Sequence, residues 1–312
     1  MNLQFIAVKI LRAVVTLWLI VTFAFVILRM SGDPIEAIVG DEAAPEVIAY
    51  YHHKYGLDQP LHKQYFAYFA SILSGDLGIS YQDEREVIET VLEAVPRTLQ
   101  LGLTSFVFSL IIGIPLGIVA ALNRNKLIDR FTMSFAVFGF SIPNFFLGIL
   151  LILMFSLWLR ILPSSGAGGI LHMLMPAVTL GTAGAGTIAR FARSSTLEVL
   201  NKSYMRTALA KGVPYARRIH WHALPNAAIP IITIIGFQLG NLVSGSIITE
   251  TVFAWPGVGR LLVNSVVNRD LAVVQAVLLM VGTTMTFANL MVDITYGWVD
   301  PRIRTSSVED KE

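Results

Sequence analysis

Few residues in this sequence are of a kind that does covalent chemistry, and fewer are spaced for it. The 312 residues contain no cysteine, so a disulfide framework and a thiolate metal site are both excluded. No glycine-rich phosphate loop of the pattern G-x-x-x-x-G-K-[ST] occurs. No H-E-x-x-H zinc motif occurs either. The six histidines are His52, His53, His62, His172, His220 and His222. A metal held by His52, His53 and His62 is the sharper reading of that group; a hydrated helix face is the plainer one, and no metal site is assigned.

Two polar groups remain. The amides Asn144, Gln238, Asn241, Gln275 and Asn289 sit inside long apolar runs. Polar side chains there are costly and tend to face the interior of a helix bundle, so these five are candidates for lining a watery path. Each one singly is more simply a hydrogen bond between helices. The other group is the polar, basic stretch 190–226, with Arg206, Lys211, Arg217 and Arg218 spaced around Gly212. A surface of that kind can meet another protein or lipid headgroups. The chemistry on offer is passage and contact, and the chain itself is expected to catalyse nothing and to bind no cofactor.

The elements that must position these residues follow from hydropathy. The chain is 54% hydrophobic and only 14% charged, against about 25% charged for a soluble domain. A bilayer core needs about 20 apolar residues in a helix. Runs of that kind occur at 13–28, 99–122, 131–159, 173–189, 227–248 and 271–292. The expectation is an all-α polytopic membrane protein with six transmembrane helices. The first run is longer than a signal-peptide core, and Arg29-Met30-Ser31 is a poor cleavage site, so it reads as an uncleaved helix. Segment 1–30 is then an N-terminal transmembrane helix and 31–98 an external helical subdomain. Segment 99–312 forms a five-helix core carrying the cytoplasmic loop 190–226. Irregularity is expected around Pro115 and Pro143, and close helix packing at Gly236-Phe237-Gln238-Leu239-Gly240.

With the N-terminus inside, 15 of the 23 lysines and arginines fall on inside segments, as the positive-inside rule requires. Both termini are therefore expected in the cytoplasm. A net charge of +2 gives no argument for nucleic acid. Within the loop, Ser195 and Glu198 have capping-box spacing and read as a helix start. A short helix from Tyr204 to Lys211 should stop at Gly212, and Pro214 can open another.

Six segments carry a family resemblance. Tyr204-Met205-Arg206-Thr207-Ala208-Leu209-Ala210-Lys211-Gly212, followed by Leu224-Pro225, resembles the loop of membrane permease subunits of ATP-binding-cassette importers in the dipeptide, oligopeptide and nickel branch. The general pattern of such loops, E-A-A-x3-G-x9-I-x-L-P, is matched here at Ala208, Gly212, Leu224 and Pro225. Arg206, Thr207 and His222 replace its Glu, first Ala and Ile. Gly56 to Leu61, Gly75 to Gly78, Glu250 to Arg260, Asn268-Arg269-Asp270 and Asp300 to Arg304 are similar to the same branch.

The resemblance implies a type I importer permease, and it implies that the short loop helix is a coupling helix seated in a cytoplasmic ATPase. The coupling residues would be Arg206, Thr207, Ala208, Lys211, Gly212, Arg217, Arg218, Leu224 and Pro225. It implies a homologous second permease subunit, two cytoplasmic ATPase subunits using ATP and magnesium, and an external solute-binding protein. The chain would sit in the inner membrane of a bacterium and form half of a pathway for di- or oligopeptides. Glutathione, a nickel chelate or another small solute is the alternative substrate. A stand-alone secondary transporter is the rival of another class, and it would normally show an internal repeat and charged residues within the spans. A membrane-embedded enzyme lacks any acid, base or metal constellation here.

Overall fold

The computed structural model describes residues 3–30, 32–33, 35, 39, 43–240 and 246–299. Among the described residues the architecture is helical, and the one strand-like feature is an isolated bridge between Ile79 and Glu86. The helices are α1 (Leu3–Met30), α2 (Pro45–Lys54), α3 (Leu61–Ser74), α4 (Val87–Leu122), α5 (Leu127–Ser141), α6 (Asn144–Leu151) and α7 (Ile170–Leu200). They continue as α8 (Ser203–Ala210), α9 (Tyr215–Arg217), α10 (Leu224–Gly240), α11 (Ile247–Val252), α12 (Val258–Val267) and α13 (Leu271–Val299). Two π-helical stretches, Ile152–Trp158 and Arg218–Ala223, extend α6 and join α9 to α10.

Among the described residues, three helices are long and apolar enough to cross a bilayer: Ala7–Ile27, Val87–Leu122 and Leu271–Ala288. A fourth crossing is available if α5 and α6 together make one span, but that pair is bent by 104°. The run 131–159 is therefore a broken element. The break follows from Pro143, which lacks an N–H and forces the residue before it out of the helical region. Ile142 accordingly adopts extended angles, φ −74° and ψ 128°.

The chain divides into two compact units. In the unit of residues 1–97 and 256–312, α1 lies along α13. Val87, Val91 and Ala94 of α4 pack on Val258 and on Val273, Ala276 and Val277 of α13. The turns of this unit are chemically determined. Gly56 and Gly75 both have positive φ and close α2 and α3. Each donates to the carbonyl three residues back, and the following residue donates five back, to His52 and Ser71. This is the Schellman closure that glycine favours. Asp76 accepts the Gly78 N–H at 2.8 Å. Buried Asp270 precedes α13 and accepts from the Ser80 hydroxyl at 2.5 Å and the Tyr81 N–H at 3.2 Å. The motif Asn268-Arg269-Asp270 thus ties loop 75–86 to the start of α13.

In the unit of residues 98–255, α7 is the central helix, with α5, α6, α10 and α11 in contact with it. A Cβ added at Gly113 would lie 2.7 Å from the Ala185 carbonyl, and one at Gly117 would lie 2.4 Å from that of Ala189. On another side of α7, a Cβ at Gly186 would meet the Ala136 carbonyl at 2.4 Å. Backbones approach this closely only where no side chain intervenes. Among the described residues of this chain nothing lies within 4 Å of a Cβ added at Gly236. The same small-residue spacing at Gly113 and Gly117 does make close contact.

Substituting Gly117 by Ala places a methyl against backbone that must shift, and overpacking of this kind costs about 1–3 kcal/mol. The expected result is a lower thermal midpoint for the detergent-solubilised Gly117→Ala chain, with Gly236→Ala unchanged. Equal effects at the two sites would remove the α4–α7 contact as the packing determinant.

Candidate functional site: the loop helix and its anchor

The loop begins later than its composition suggests. α7 runs unbroken to Leu200, so Ser195 and Glu198 lie inside its last turns and start no helix. Ser195, Thr196 and Val199 are buried there, and that packing carries the helix through the capping-type residues. Glu198 pairs with Lys202 at 2.8 Å across one turn. The Glu198 carboxylate pushes the Lys202 ammonium above its ordinary value, so Lys202 stays charged next to α8.

α8 spans Ser203–Ala210, close to the expected 204–211. Its inward residue is Met205, which is buried with Val199, Ile219, Ala223 and Ala227, flanked by Leu122, Leu200 and Leu224. The helix ends as a Schellman closure: Gly212 donates to Leu209 at 2.9 Å and Val213 to Ala208 at 3.1 Å. Gly212 has φ +71°, which a residue with a Cβ adopts only at a cost of about 1–2 kcal/mol. Pro214 then caps α9 from extended angles, and the π-helical stretch leads directly into α10.

Around buried Met205 most of the loop is exposed. Arg206, Thr207, Lys211, Gly212 and Arg217 are exposed, as are Tyr204, Leu209 and Tyr215. Ala208 and Leu224 are half-buried, and Pro225 is exposed at the first turn of α10. Arg218 stacks over the Tyr215 ring at 5.7 Å, with its Nε buried and without a hydrogen-bond partner. Most of the expected loop residues are thus exposed, while Ala208, Arg218 and Leu224 are half-buried. Arg and Tyr are enriched in protein interfaces.

An anchor beside this surface escaped the sequence reading. Asp129, in the first turn of α5, is buried and receives both Nε and Nη2 of Arg193 from α7, at 2.6 and 2.8 Å. The Asn125 N–H adds a third bond at 2.9 Å. Its signal was an acid in the otherwise basic segment 123–130, which orientation arguments pass over. A second buried acid, Glu250 of α11, accepts the Thr98 hydroxyl at 2.7 Å, and its carbonyl accepts the Trp255 N–H at 2.8 Å. Phe253 and Trp255 of the same segment are buried, the former against Gly148 of α6. The segment from Glu250 to Trp255 is thus a packed plug within its own unit.

The five amides do not gather into one site. Gln238 donates to the Gly184 carbonyl at 3.2 Å and so links α10 to α7, the interhelical role. Asn144 is half-buried at the start of α6. Gln275 is 7% exposed at the beginning of α13, within the other unit. Asn241 lies outside the described residues, and of Asn289 only the helical backbone is described. The segment from Asp300 to Arg304 lies outside as well. Of the histidines, His52 bonds Asp33 at 2.6 Å and His53 bonds Asp58 at 3.0 Å.

Breaking a buried, hydrogen-bonded ion pair is strongly destabilising. With Arg193 partly exposed and screened, a loss of about 2 kcal/mol is expected for Asp129→Ala, read as a fall in thermal midpoint. The double variant with Arg193→Ala should lose less than the sum of the single changes. Strict additivity in that cycle would dissolve the pair as an energetic unit.

Comparison with known proteins identifies the family. Residues 113–305 match the family described as "Binding-protein-dependent transport system inner membrane component". Residues 2–102 match the family of its N-terminal part. The chain is 43% identical over 303 residues to the glutathione transport system permease protein GsiC of Escherichia coli O6:H1, covering 97% of this chain and 99% of that one. The GsiC of Salmonella typhimurium is 43% identical over the same share. Among solved structures, an inward-facing MetNI methionine ABC transporter aligns with a TM-score of 0.51 at 20% identity, over 66% of this chain and 96% of that chain. An amino acid ABC transporter aligns at 0.54 and 13%, over 67% and 93%. These two show the fold alone. With both family models and near full-length relatives in agreement, the chain belongs to the binding-protein-dependent transport inner membrane components, as a permease subunit of an ATP-binding-cassette importer.

Proposed function

We propose that this permease couples ATP-driven closure of cytoplasmic ATPase subunits to passage of small peptides across the inner membrane. The observation that carries the reading is the loop helix α8. It is fastened by Met205 into the cluster formed by α7, the π-helical stretch and α10, while Arg206, Lys211 and Arg217 face outward. A force applied to the exposed face passes through the Met205 cluster into α10. A rigid, short helix with a closed C-terminus is the lever such a transfer needs, and Gly212 supplies the closure.

In this reading the chain has six spans, with α5 and α6 forming one broken crossing and both termini in the cytoplasm. Segment 31–98 is the external subdomain, 99–312 is the permease core, and 190–226 holds the coupling loop. The basic inside segments support that orientation. A homologous second permease, two ATPase subunits that use ATP and magnesium, and an external binding protein complete the importer. The ATPase subunits perform the hydrolysis, and this permease is non-catalytic. The substrate class is di- or oligopeptide. Glutathione is the alternative substrate, supported by the relatives named for glutathione transport, and a nickel chelate or another small solute is the further alternative. The pathway would be lined by Asn144, Gln238, Asn241, Gln275 and Asn289, of which Gln238 also bonds the Gly184 carbonyl.

A mild-detergent pull-down of the tagged chain tests the complex. Two ATPases and a second permease are expected to co-purify. Reversing the rim charges, with Arg206→Glu and Lys211→Glu together, should weaken ATPase retention at least about tenfold, the scale on which like charges across an interface act. Full retention by the reversed chain would end the coupling role of α8. Uptake of labelled glutathione against labelled dipeptide in cells carrying the intact system then decides between the two substrates.

A further inference from the structure

The segment between α1 and α4 is acidic, but α3 is not. Residues 31–98 hold 12 Asp and Glu, and none of them lies between Asp58 and Asp76. Within α3, Leu61–Ser74, the one charged residue is Lys63. Carboxylates keep a helix soluble in water, and this helix has none.

Its contacts place it at depth. The apolar stretch Ala7–Ile27 of α1 is 21 residues long, about 31 Å of helix, which matches a hydrocarbon core of about 30 Å. The Tyr65 hydroxyl of α3 meets Trp18 Nε1 at 3.0 Å and the Thr22 hydroxyl at 2.8 Å. Trp18 and Thr22 stand about 8 to 14 Å before Ile27 along the helix. Phe25, also inside the stretch, meets the Tyr65 ring edge-on at 5.4 Å and stacks on Tyr68 at 6.1 Å. One turn of α3 thus lies beside residues that cross the bilayer. The hydrogen bonds agree with that depth, because the indole N–H and the two hydroxyls satisfy one another where no water is at hand.

α3 has three faces. Tyr65 and Tyr68 meet α1. Lys63, Gln64, Ser71 and Ser74 line a cavity of about 980 Å³ in the same unit. The third face carries Phe66, Ala70 and Leu73, whose spacing makes one stripe. Phe66 is 69% exposed and Leu73 87%, and Ala70 is exposed as well. His62 heads the stripe and is its one polar member; an imidazole offers an apolar body with a polar tip. On α1, Leu19, Phe23 and Val26 adjoin the residues that touch α3, and they too are exposed. The other flank of α1, Leu17 and Ile20, approaches Gly282 of α13. The apolar surface with which α1 meets lipid therefore borders α3.

We infer that α3 is immersed in the membrane, with the Phe66, Ala70 and Leu73 stripe against the acyl chains of the leaflet at the C-terminal end of α1. In the orientation proposed above that is the outer leaflet. Interfacial helices bury an apolar face about 5–10 Å below the headgroups, close to the level at which Tyr65 meets α1. The segment 31–98 is then external only in part, and α3 is its lipid anchor.

The chain has no cysteine, so a spin label on a single introduced cysteine reports one position. Phe66→Cys and Leu73→Cys remove exposed side chains and leave the α1 contacts in place, as circular dichroism would verify. The labelled chain, purified in mild detergent with the subunits it retains, is reconstituted into vesicles of phosphatidylethanolamine and phosphatidylglycerol. Spin relaxation is read with oxygen, which concentrates in lipid, and with a water-soluble nickel chelate. Phe23→Cys in the spanning stretch and Asp83→Cys, exposed in loop 75–86, are the references. The label at Phe66→Cys should show the oxygen access of Phe23→Cys and a loss of the nickel access seen at Asp83→Cys. Leu73→Cys carries the same reading should Phe66→Cys not fold. Nickel access equal to that of Asp83→Cys would put the stripe in water and overturn the inference. Low access to both reagents would put it against another protein subunit and overturn it equally.

Discussion

The backbone of α7 is approached on two sides by other backbones, and much of its unit rests on that. Gly113 and Gly117 of α4 meet Ala185 and Ala189, while Gly186 meets Ala136 of α5. In lipid the hydrophobic effect gives no drive for helices to associate, so close van der Waals contact has to supply it. Small residues make that contact possible and large ones forbid it. α7 also carries Arg193 and ends at the Met205 cluster, so its placement sets that of the basic loop surface.

Polar pins complete what the close packing begins. Asp129 with Arg193, Glu250 with Thr98 and Asp270 with Ser80 each join segments far apart in sequence, and each carboxylate is buried. A buried charge is tolerated only with partners that satisfy it. Such a pin fixes register, since a helix shifted by one residue would leave the acid orphaned. The short segment Glu250 to Trp255 shows the effect: its acid, its Trp255 N–H and its aromatic rings are all engaged in packing.

The turns were legible because their chemistry is local. Gly56, Gly75 and Gly212 stand where the chain needs positive φ, and Pro143 stands where a helix must break. The helix of the loop was legible for the same reason, bounded by Lys202 and Gly212. Ser195 and Glu198 were misread because capping-box spacing is only a local preference, and the burial of Thr196 and Val199 outweighs it. The GxxxG at Gly236 is open at its first glycine among the described residues of this chain. The same small-residue pattern occurs at Gly113, and only the presence of a facing helix distinguishes the two.

The sequence by itself determined that this chain lives in a membrane, because a largely apolar polymer with sparse charge has nowhere else to place its surface. It also determined helical elements, their turns, the basic loop and the family. Only the tertiary structure decided which polar groups meet. Asp129 finds Arg193 across 64 residues and Ser80 finds Asp270 across 190. It likewise separated Gln238, bonded between helices of one unit, from Gln275, buried in the other. Hydropathy is a sum over neighbours along the chain and can be read there. Pairing is a matter of distance in space, and it exists only once the helices have packed.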